Sequence, residues 1–156
     1  MARKLQTAIK QKSPFSSIEQ EVYLNLLRTG DALSQRVETL LRAAGLSGTQ
    51  FNVLRILRGA GSQGLTCGET GERMVTHDPD ITRLLDRLEK RNLITRSRDN
   101  HDRRVVTTRI TAEGLRLLGS LDKPVAELHC GLFRHMTKQD LKRLSTLLEK
   151  VRSAEG

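Results

Sequence analysis

The hydrophobic pattern of this chain changes its period near residue 93 and later changes back. Up to Asn92, leucine and other apolar residues recur at the three- and four-residue spacing of amphipathic helices. Residues 94–98 and 105–110 are instead rich in β-branched residues, alternate in polarity and flank a polar, charged segment. Two such runs around a turn predict a β-hairpin. Because helical spacing resumes at residue 111, the predicted fold is mainly α-helical with one small β-hairpin.

Capping signals divide the helical part of the chain into six segments. Predicted helix starts lie at Ser16, Ser47, Thr66, Asp78, Thr111 and Thr137. At the first three, a glutamate or glutamine follows three residues later, as in a capping box. Gly45 and Asn92 are typical of residues that end helices. Pro124 is expected to kink or split the helix that starts at Thr111, because proline lacks the backbone N–H.

This order of elements predicts four parts within a single compact domain. Residues 1–15 hold four basic residues and no acid, and we expect a basic N-terminal arm, either mobile or irregular. Residues 16–45 form one long helix. Residues 46–114 have the order of a helix-turn-helix followed by a hairpin, which is the winged form. Residues 115–156 supply the C-terminal helices. The long, leucine-rich outer helices are interpreted as dimerisation helices, so a homodimer is expected.

The charge balance favours a polyanionic partner. Lys and Arg number 27 against 18 Asp and Glu, for a net charge of +9 and a pI near 10.3. Aromatic residues are only 3%, which argues against binding by base stacking. No apolar run approaches a membrane span and no signal peptide is evident, so a cytoplasmic location is expected. Cys67 and Cys130 form no CxxC pair, and neither a metal site nor another cofactor is predicted.

Basic residues cluster on one face of the helix predicted after Asp78. Its apolar stripe lies on another face, and the cationic residues are Arg83, Arg87, Lys90 and Arg91. Such a ridge fits the major groove of DNA, but it is also typical of a solvated face stabilised by pairs such as Asp86–Lys90. The helix-turn-helix spacing and the following hairpin favour DNA. From Lys90 to Arg109, seven basic residues stand against two acids.

One stretch of the chain resembles the MarR family of winged-helix regulators. The matching runs are LTCGETGERM, from Leu65, and ITRLLDRLEKRNLITRSRDNHDRRVVTTRITAEG, from Ile81. The most specific element is the DRR at residues 102–104, which a strand and the sequence ITAEG follow. The flanking helices agree with the family in length and order, so the resemblance covers about residues 17–153.

The resemblance implies a homodimer that places two winged domains on a pseudo-palindromic, double-stranded operator. Carried over from the family, Thr82, Arg83 and Arg87 would face the major groove, and Arg104, oriented by Asp102, would enter the minor groove. Arg98, Arg103 and the helix start at Thr66 would contact the DNA backbone. Family members typically repress a neighbouring gene and release DNA when a small molecule or an oxidant binds. A small-molecule effector is therefore expected, although the sequence does not locate its pocket.

Three features leave alternatives open. The recognition helix is preceded by Asp78 and Asp80, which suit a helix N-terminus but repel phosphate; Asp80 either acts as a cap or accepts from a cytosine amino group. Cys67, at a helix start, permits a redox-sensing hypothesis, although a small, partly buried residue is the favoured interpretation. His129, Cys130 and His135 lack the spacing of metal ligands on one helix face.

The function that these observations favour is that of a dimeric, sequence-specific transcriptional regulator, expected to be a repressor released by an effector. No catalytic arrangement of residues appears, so we do not expect an enzyme. The alternative is a non-specific basic nucleic-acid-binding or architectural protein. A third hypothesis is a protein–protein adaptor that has lost DNA binding, which only the acidic start of the recognition helix supports.

Overall fold

A computed structural model describes residues 4–98, 102 and 104–153. Its order is α1 (Lys4–Ala8), α2 (Ile18–Arg42), α3 (Gly48–Ala60), a 3₁₀ turn (Gly61–Gln63), β1 (Leu65–Thr66), α4 (Cys67–Glu72), α5 (Ile81–Lys90), β2 (Ile94–Arg98), β3 (Val106–Ile110), α6 (Ala112–Leu132) and α7 (Lys138–Ser153). The chain falls into two compact units that divide between Gly48 and Thr49. The predicted class, mainly helical with a small β element, is confirmed.

The first unit contains α1 and α2. The interpretation of residues 1–15 as mobile or irregular is wrong for Lys4–Ala8, which form a helical turn, and both Leu5 and Phe15 are buried. The N-cap of α2 is Ser17 and not Ser16, because the Ser17 hydroxyl accepts from the backbone N–H of Gln20 at 3.2 Å. After α2 the chain turns at Gly45, whose positive φ of 65° confirms the predicted helix end.

The second unit draws its core from several elements. Its fully buried residues include Val53, Leu54 and Leu57 of α3, Leu88 of α5, Ile94 of β2 and Leu118 of α6. α6 runs unbroken from Ala112 to Leu132 with Pro124 inside it, so of the two outcomes expected at Pro124, a kink or a split, the split is wrong. Thr111 caps α6 by accepting from the N–H of Gly114 at 3.0 Å, as predicted.

The sheet has three antiparallel strands in the order β1-β3-β2. The predicted hairpin is confirmed as β2 and β3, with Ile94 opposite Ile110 and Arg98 opposite Val106. The sequence prediction missed β1, which pairs Leu65 with Thr108. Gly64 permits this pairing, because its φ is 70° and a Cβ there would lie 2.5 Å from the Thr108 carbonyl oxygen. We call residues 94–110, which contain β2 and β3, the wing.

Candidate nucleic-acid interface

α4 begins at a complete capping box. The Thr66 hydroxyl accepts from the N–H of Glu69 at 3.2 Å, and Glu69 Oε2 accepts from the N–H and the hydroxyl of Thr66 at 2.8 and 2.9 Å. The two hydrogen bonds that the Glu69 carboxylate accepts, first the one from the Thr66 backbone, lower the pKa of this carboxyl. The hydroxyl proton of Thr66 is therefore used within the cap, and its predicted contact with the DNA backbone stays a prediction.

α5, which we call the recognition helix, separates an apolar face from a basic one. Leu84, Leu85 and Leu88 are buried. The predicted DNA-facing residues Thr82, Arg83 and Arg87 are all exposed, as is Lys90. At the C-terminus, Asn92 adopts a φ of 57°, and the N–H of Leu93 donates to the Leu88 carbonyl at 3.1 Å, which closes the helix as predicted. The recognition helix thus presents its cationic ridge to solvent.

The N-cap of the recognition helix is Asp80, so the predicted start at Asp78 and Pro79 is wrong by two residues. Asp80 Oδ1 accepts from the N–H of Arg83 at 3.2 Å, and Asp78 Oδ1 accepts from the N–H of Asp80 at 2.9 Å. Asp78 therefore forms a turn ahead of the helix rather than capping it. Two roles were considered for Asp80, a helix cap or an acceptor for a cytosine amino group. The structure shows the helix cap.

Arg96 of the wing joins the wing to the recognition helix, and sequence analysis did not single it out. Its Nε donates to Glu89 Oε2 at 2.9 Å, and one terminal nitrogen lies 2.6 Å from Asp86 Oδ1. Its backbone N–H also donates to Glu89 Oε1 at 3.2 Å. The hydrogen bond with Glu89 is the main cause that raises the pKa of Arg96 above its ordinary value. Asp86 thus pairs with Arg96 instead of Lys90.

Ion pairs offset part of the negative charge on and just before the recognition helix. Asp86 and Glu89 both bind Arg96, while Asp80 binds Arg83. Phosphate repulsion by these side chains is reduced but not removed, since Asp86 and Glu89 share the single positive charge of Arg96. Arg87 and Lys90 have no ion-pair partner among the described residues, so their charge remains available.

Arg96→Ala is expected to lower the free energy of unfolding by about 1–2 kcal/mol, because it leaves two half-buried carboxylates without their partner. Arg98→Ala is the matched control, since Arg98 lies on the same strand but is exposed, and its loss should change stability by less than about 0.5 kcal/mol. Urea denaturation of both variants measures the difference. Equal stabilities would show that Arg96 does not hold the wing to α5.

The described part of the wing tip contains Asp102 and Arg104. Asp102 Oδ1 accepts from the N–H of Arg104 at 2.9 Å and lies 3.4 Å from its Nε. The Arg104 side chain is 94% exposed. Arg103, also predicted to contact DNA, lies outside the described residues. Arg109 is drawn inward, where it donates to the Ser62 carbonyl oxygen at 2.7 Å and to the Ser97 hydroxyl at 2.8 Å.

Cys67 contacts the recognition helix. Its Sγ lies 3.8 Å from Thr82 Oγ1, and the residue is half-buried, while Cys130 is exposed. The partly buried environment agrees with the favoured interpretation of Cys67 as a small packing residue. Within the described ranges, no three His, Cys, Asp or Glu side chains are close enough together to hold a metal ion.

A cleft of about 170 Å³ lies between α3 and α6. Its lining combines the apolar Phe51 and Val125 with polar residues that include His129. Arg58 and Asp122 form a bidentate ion pair at its edge, with nitrogen–oxygen distances of 2.8 and 3.0 Å. The hydrogen bond from Arg58 is the main cause that lowers the pKa of Asp122.

The family comparisons agree with this geometry. The model of the MarR family matches residues 46–106. The crystal structure of a MarR transcription factor from Planctomyces limnophilus is 38% identical, covers 87% of this chain and 98% of its own, and has a TM-score of 0.68. This chain belongs to the MarR family. The predicted resemblance is confirmed, and with it the winged helix-turn-helix fold.

Two further similarities extend this result. The chain is 33% identical to YcgE of Bacillus subtilis, an HTH-type transcriptional regulator, over 70% of each chain. A mutant of MarR from E. coli, solved in complex with operator DNA, has the same fold, with a TM-score of 0.79, 23% identity and coverage of 89% of this chain and 99% of its own. The proteins from Planctomyces limnophilus and Bacillus subtilis are thus a transcription factor and a transcriptional regulator. None of the helices in the described part of the chain combines the length and the hydrophobicity that a membrane span requires.

Proposed function

We propose that this MarR-family chain is a sequence-specific repressor that binds a pseudo-palindromic operator as a homodimer. Its recognition helix would enter the major groove with Thr82, Arg83 and Arg87, and Arg104 would reach the minor groove. Arg98, Arg103 and Thr66 would contact phosphates. The observation that carries the proposal is the exposed cationic ridge of α5, whose acidic residues each have a cationic partner within the protein. The operator complex of the E. coli relative supports DNA as the partner.

Selection of bound genomic fragments, followed by footprinting, tests this function. Two recognition helices related by a twofold axis should protect two half-sites whose centres are about 10–10.5 base pairs apart. The affinity for the selected site should exceed that for a scrambled duplex by about a thousandfold or more at physiological salt. Equal affinity for both duplexes would instead support the alternative, a non-specific basic protein.

Dimerisation through the outer helices is supported by apolar residues that one chain leaves uncovered. α7 has no buried residue, and Leu144, Leu147 and Val151 lie along one face with exposed fractions of 36%, 54% and 54%. α2 likewise exposes Ile18 and Val22. Apolar stripes of this kind are typical of helices that pack against a partner.

Leu147→Asp is expected to convert the dimer to monomer, because a carboxylate in an apolar interface loses its hydration without gaining a partner. Thr146→Asp is the control, since residue 146 lies on the opposite side of α7 from this stripe and is exposed. Light scattering after size-exclusion chromatography gives the mass of each variant. A wild-type monomer, or an unchanged dimer in Leu147→Asp, would contradict the assignment of this face.

Release by a small molecule is the part of the proposal that concerns regulation. The cleft between α3 and α6 is lined by Phe51 and Val125 as well as by the Arg58–Asp122 pair, which suits a small ligand with an apolar body and a polar group. A panel of phenols and aromatic carboxylates, added to the protein bound to its selected site, tests this. A ligand of the repressor should lower the affinity for DNA and raise the melting temperature of the free protein.

A further inference from the structure

Two carboxylates ahead of the recognition helix form a chain of contacts that ends at Arg83. Asp78 holds the backbone of Asp80, and Asp80 then uses both of its oxygens on Arg83. Oδ1 accepts from the backbone N–H of Arg83, and Oδ2 lies 3.2 Å from the side-chain Nε. One carboxylate therefore caps α5 and also restrains a side chain that the proposed function places in the major groove.

We propose that Asp80 is a positioning residue that determines specificity, because it directs the guanidinium of Arg83 towards a guanine. This inference rests on the proposed function of α5. The guanidinium is planar, so a contact at Nε restrains the orientation of its plane. Among the described residues, no hydrogen bond uses the two terminal nitrogens of Arg83, and a guanine presents two acceptors, O6 and N7, that match two such donors.

Without Asp80, the exposed side chain of Arg83 would not be held in one orientation. Its side chain is 72% exposed, and no other ion pair restrains it among the described residues. A freely moving arginine also reaches phosphates, which carry no sequence information. Asp80 itself repels phosphates, so its charge weakens binding to every DNA sequence. With Asp80 present, we therefore expect a lower affinity for every DNA sequence. We also expect a larger difference in affinity between a site with the correct base and a site with a wrong base.

A lower affinity for all DNA together with a stronger base preference is expected of Asp80 but not of the other acids of the recognition helix. Asp86 and Glu89 bind Arg96 of the wing, so they hold two parts of the protein together rather than orienting a DNA-facing side chain. Removing the charge of Asp80 should therefore change base selection without loosening the wing. Asn serves as well as Asp at an N-cap, so Asp80→Asn retains the cap while it removes the negative charge and with it the ion pair.

Selection from a random double-stranded DNA library with wild type and Asp80→Asn tests the inference. Wild type should select half-sites with one strongly preferred guanine that Arg83→Lys no longer selects. Asp80→Asn should lose much of the same preference, with the affinity ratio of the selected to a scrambled duplex falling about tenfold. Its affinity for the scrambled duplex should rise. In the Arg83→Lys background, adding Asp80→Asn should leave the ratio unchanged.

Glu72→Gln is the matched control, because it removes one exposed negative charge from α4 without contact to Arg83. It should leave the affinity ratio unchanged, and circular dichroism of every variant verifies the helical fold. The inference is overturned if Asp80→Asn keeps the guanine preference and the ratio, or if the wild-type site contains no guanine that depends on Arg83. If wild type selects no sequence at all, the proposed function itself fails.

Discussion

Gly114→Ala is expected to lower the free energy of unfolding by about 2–3 kcal/mol. Gly114 lies in the first turn of α6, where a Cβ would stand 2.2 Å from the Leu93 carbonyl oxygen and 2.7 Å from Ile110 Cγ1. A backbone oxygen cannot move aside as the end of a flexible side chain can. The methyl group would therefore push α6 away from the strands of the wing, and urea denaturation measures the cost.

Gly119→Ala supplies the control within the same helix. A Cβ at Gly119 meets no atom within 4 Å, so the substitution should only improve helix propensity and raise stability by about 0.5–1 kcal/mol. The two variants should thus shift the melting temperature in opposite directions. If Gly114→Ala is as stable as Gly119→Ala, the close approach of α6 to Leu93 does not exist in solution.

Arg104→Ala is expected to weaken binding to the selected operator by about 1–3 kcal/mol. The side chain is 94% exposed and its only ion pair among the described residues is with Asp102, so the fold should be unaffected. An arginine in a narrow minor groove meets an enhanced negative potential, and its effect should exceed that of one ordinary phosphate contact. Fluorescence anisotropy with the operator and with a scrambled duplex measures both affinities.

Arg152→Ala is the charge-matched control for this experiment. Arg152 is exposed near the end of α7, far along the chain from the wing, and its removal lowers the net charge by the same single unit. Its effect on operator binding should be small. Equal losses for the two variants would indicate that Arg104 acts only through the overall positive charge, and would remove the proposed role of the wing tip.

Much of this fold could be predicted because the decisive signals are local. The capping box of Thr66 and Glu69 needs only residues three apart, and the end of α5 at Asn92 needs only a residue that tolerates a positive φ. The change from helical to alternating hydrophobic spacing at β2 is also visible within a few consecutive residues. Gly114 also explains part of the ITAEG motif, because only glycine leaves room for the Leu93 carbonyl.

The predicted helix starts were wrong where two nearby residues can each begin the helix. Asp78 before Pro79 and Asp80 before Ile81 are both acceptable helix starts, and the structure uses the second because Asp78 instead accepts from the N–H of Asp80. Ser16 and Ser17 compete in the same way. Strand β1 has only two residues, too few for a period, and its pairing depends on a distant strand.

The candidate site was predictable as a set of exposed charges but not as a set of contacts. The ridge of Arg83 and Arg87 follows from helical spacing alone. The ion pairs of Arg96 depend on where β2 passes α5, which no spacing within one element reveals. The hypothesis that Asp86 pairs with Lys90 was wrong for this reason, since a residue ten positions away competes successfully for the same carboxylate.

The position of β2 at the edge of the sheet has a consequence for solubility. An edge strand exposes backbone groups on which another chain can add a strand, and such addition leads to aggregation. Here the N–H of Arg96 is already bonded to Glu89, and the charged Arg98 follows two residues later. The contact between Arg96 and Glu89, together with the charge of Arg98, thus makes the outer edge of the wing a poor template for self-assembly.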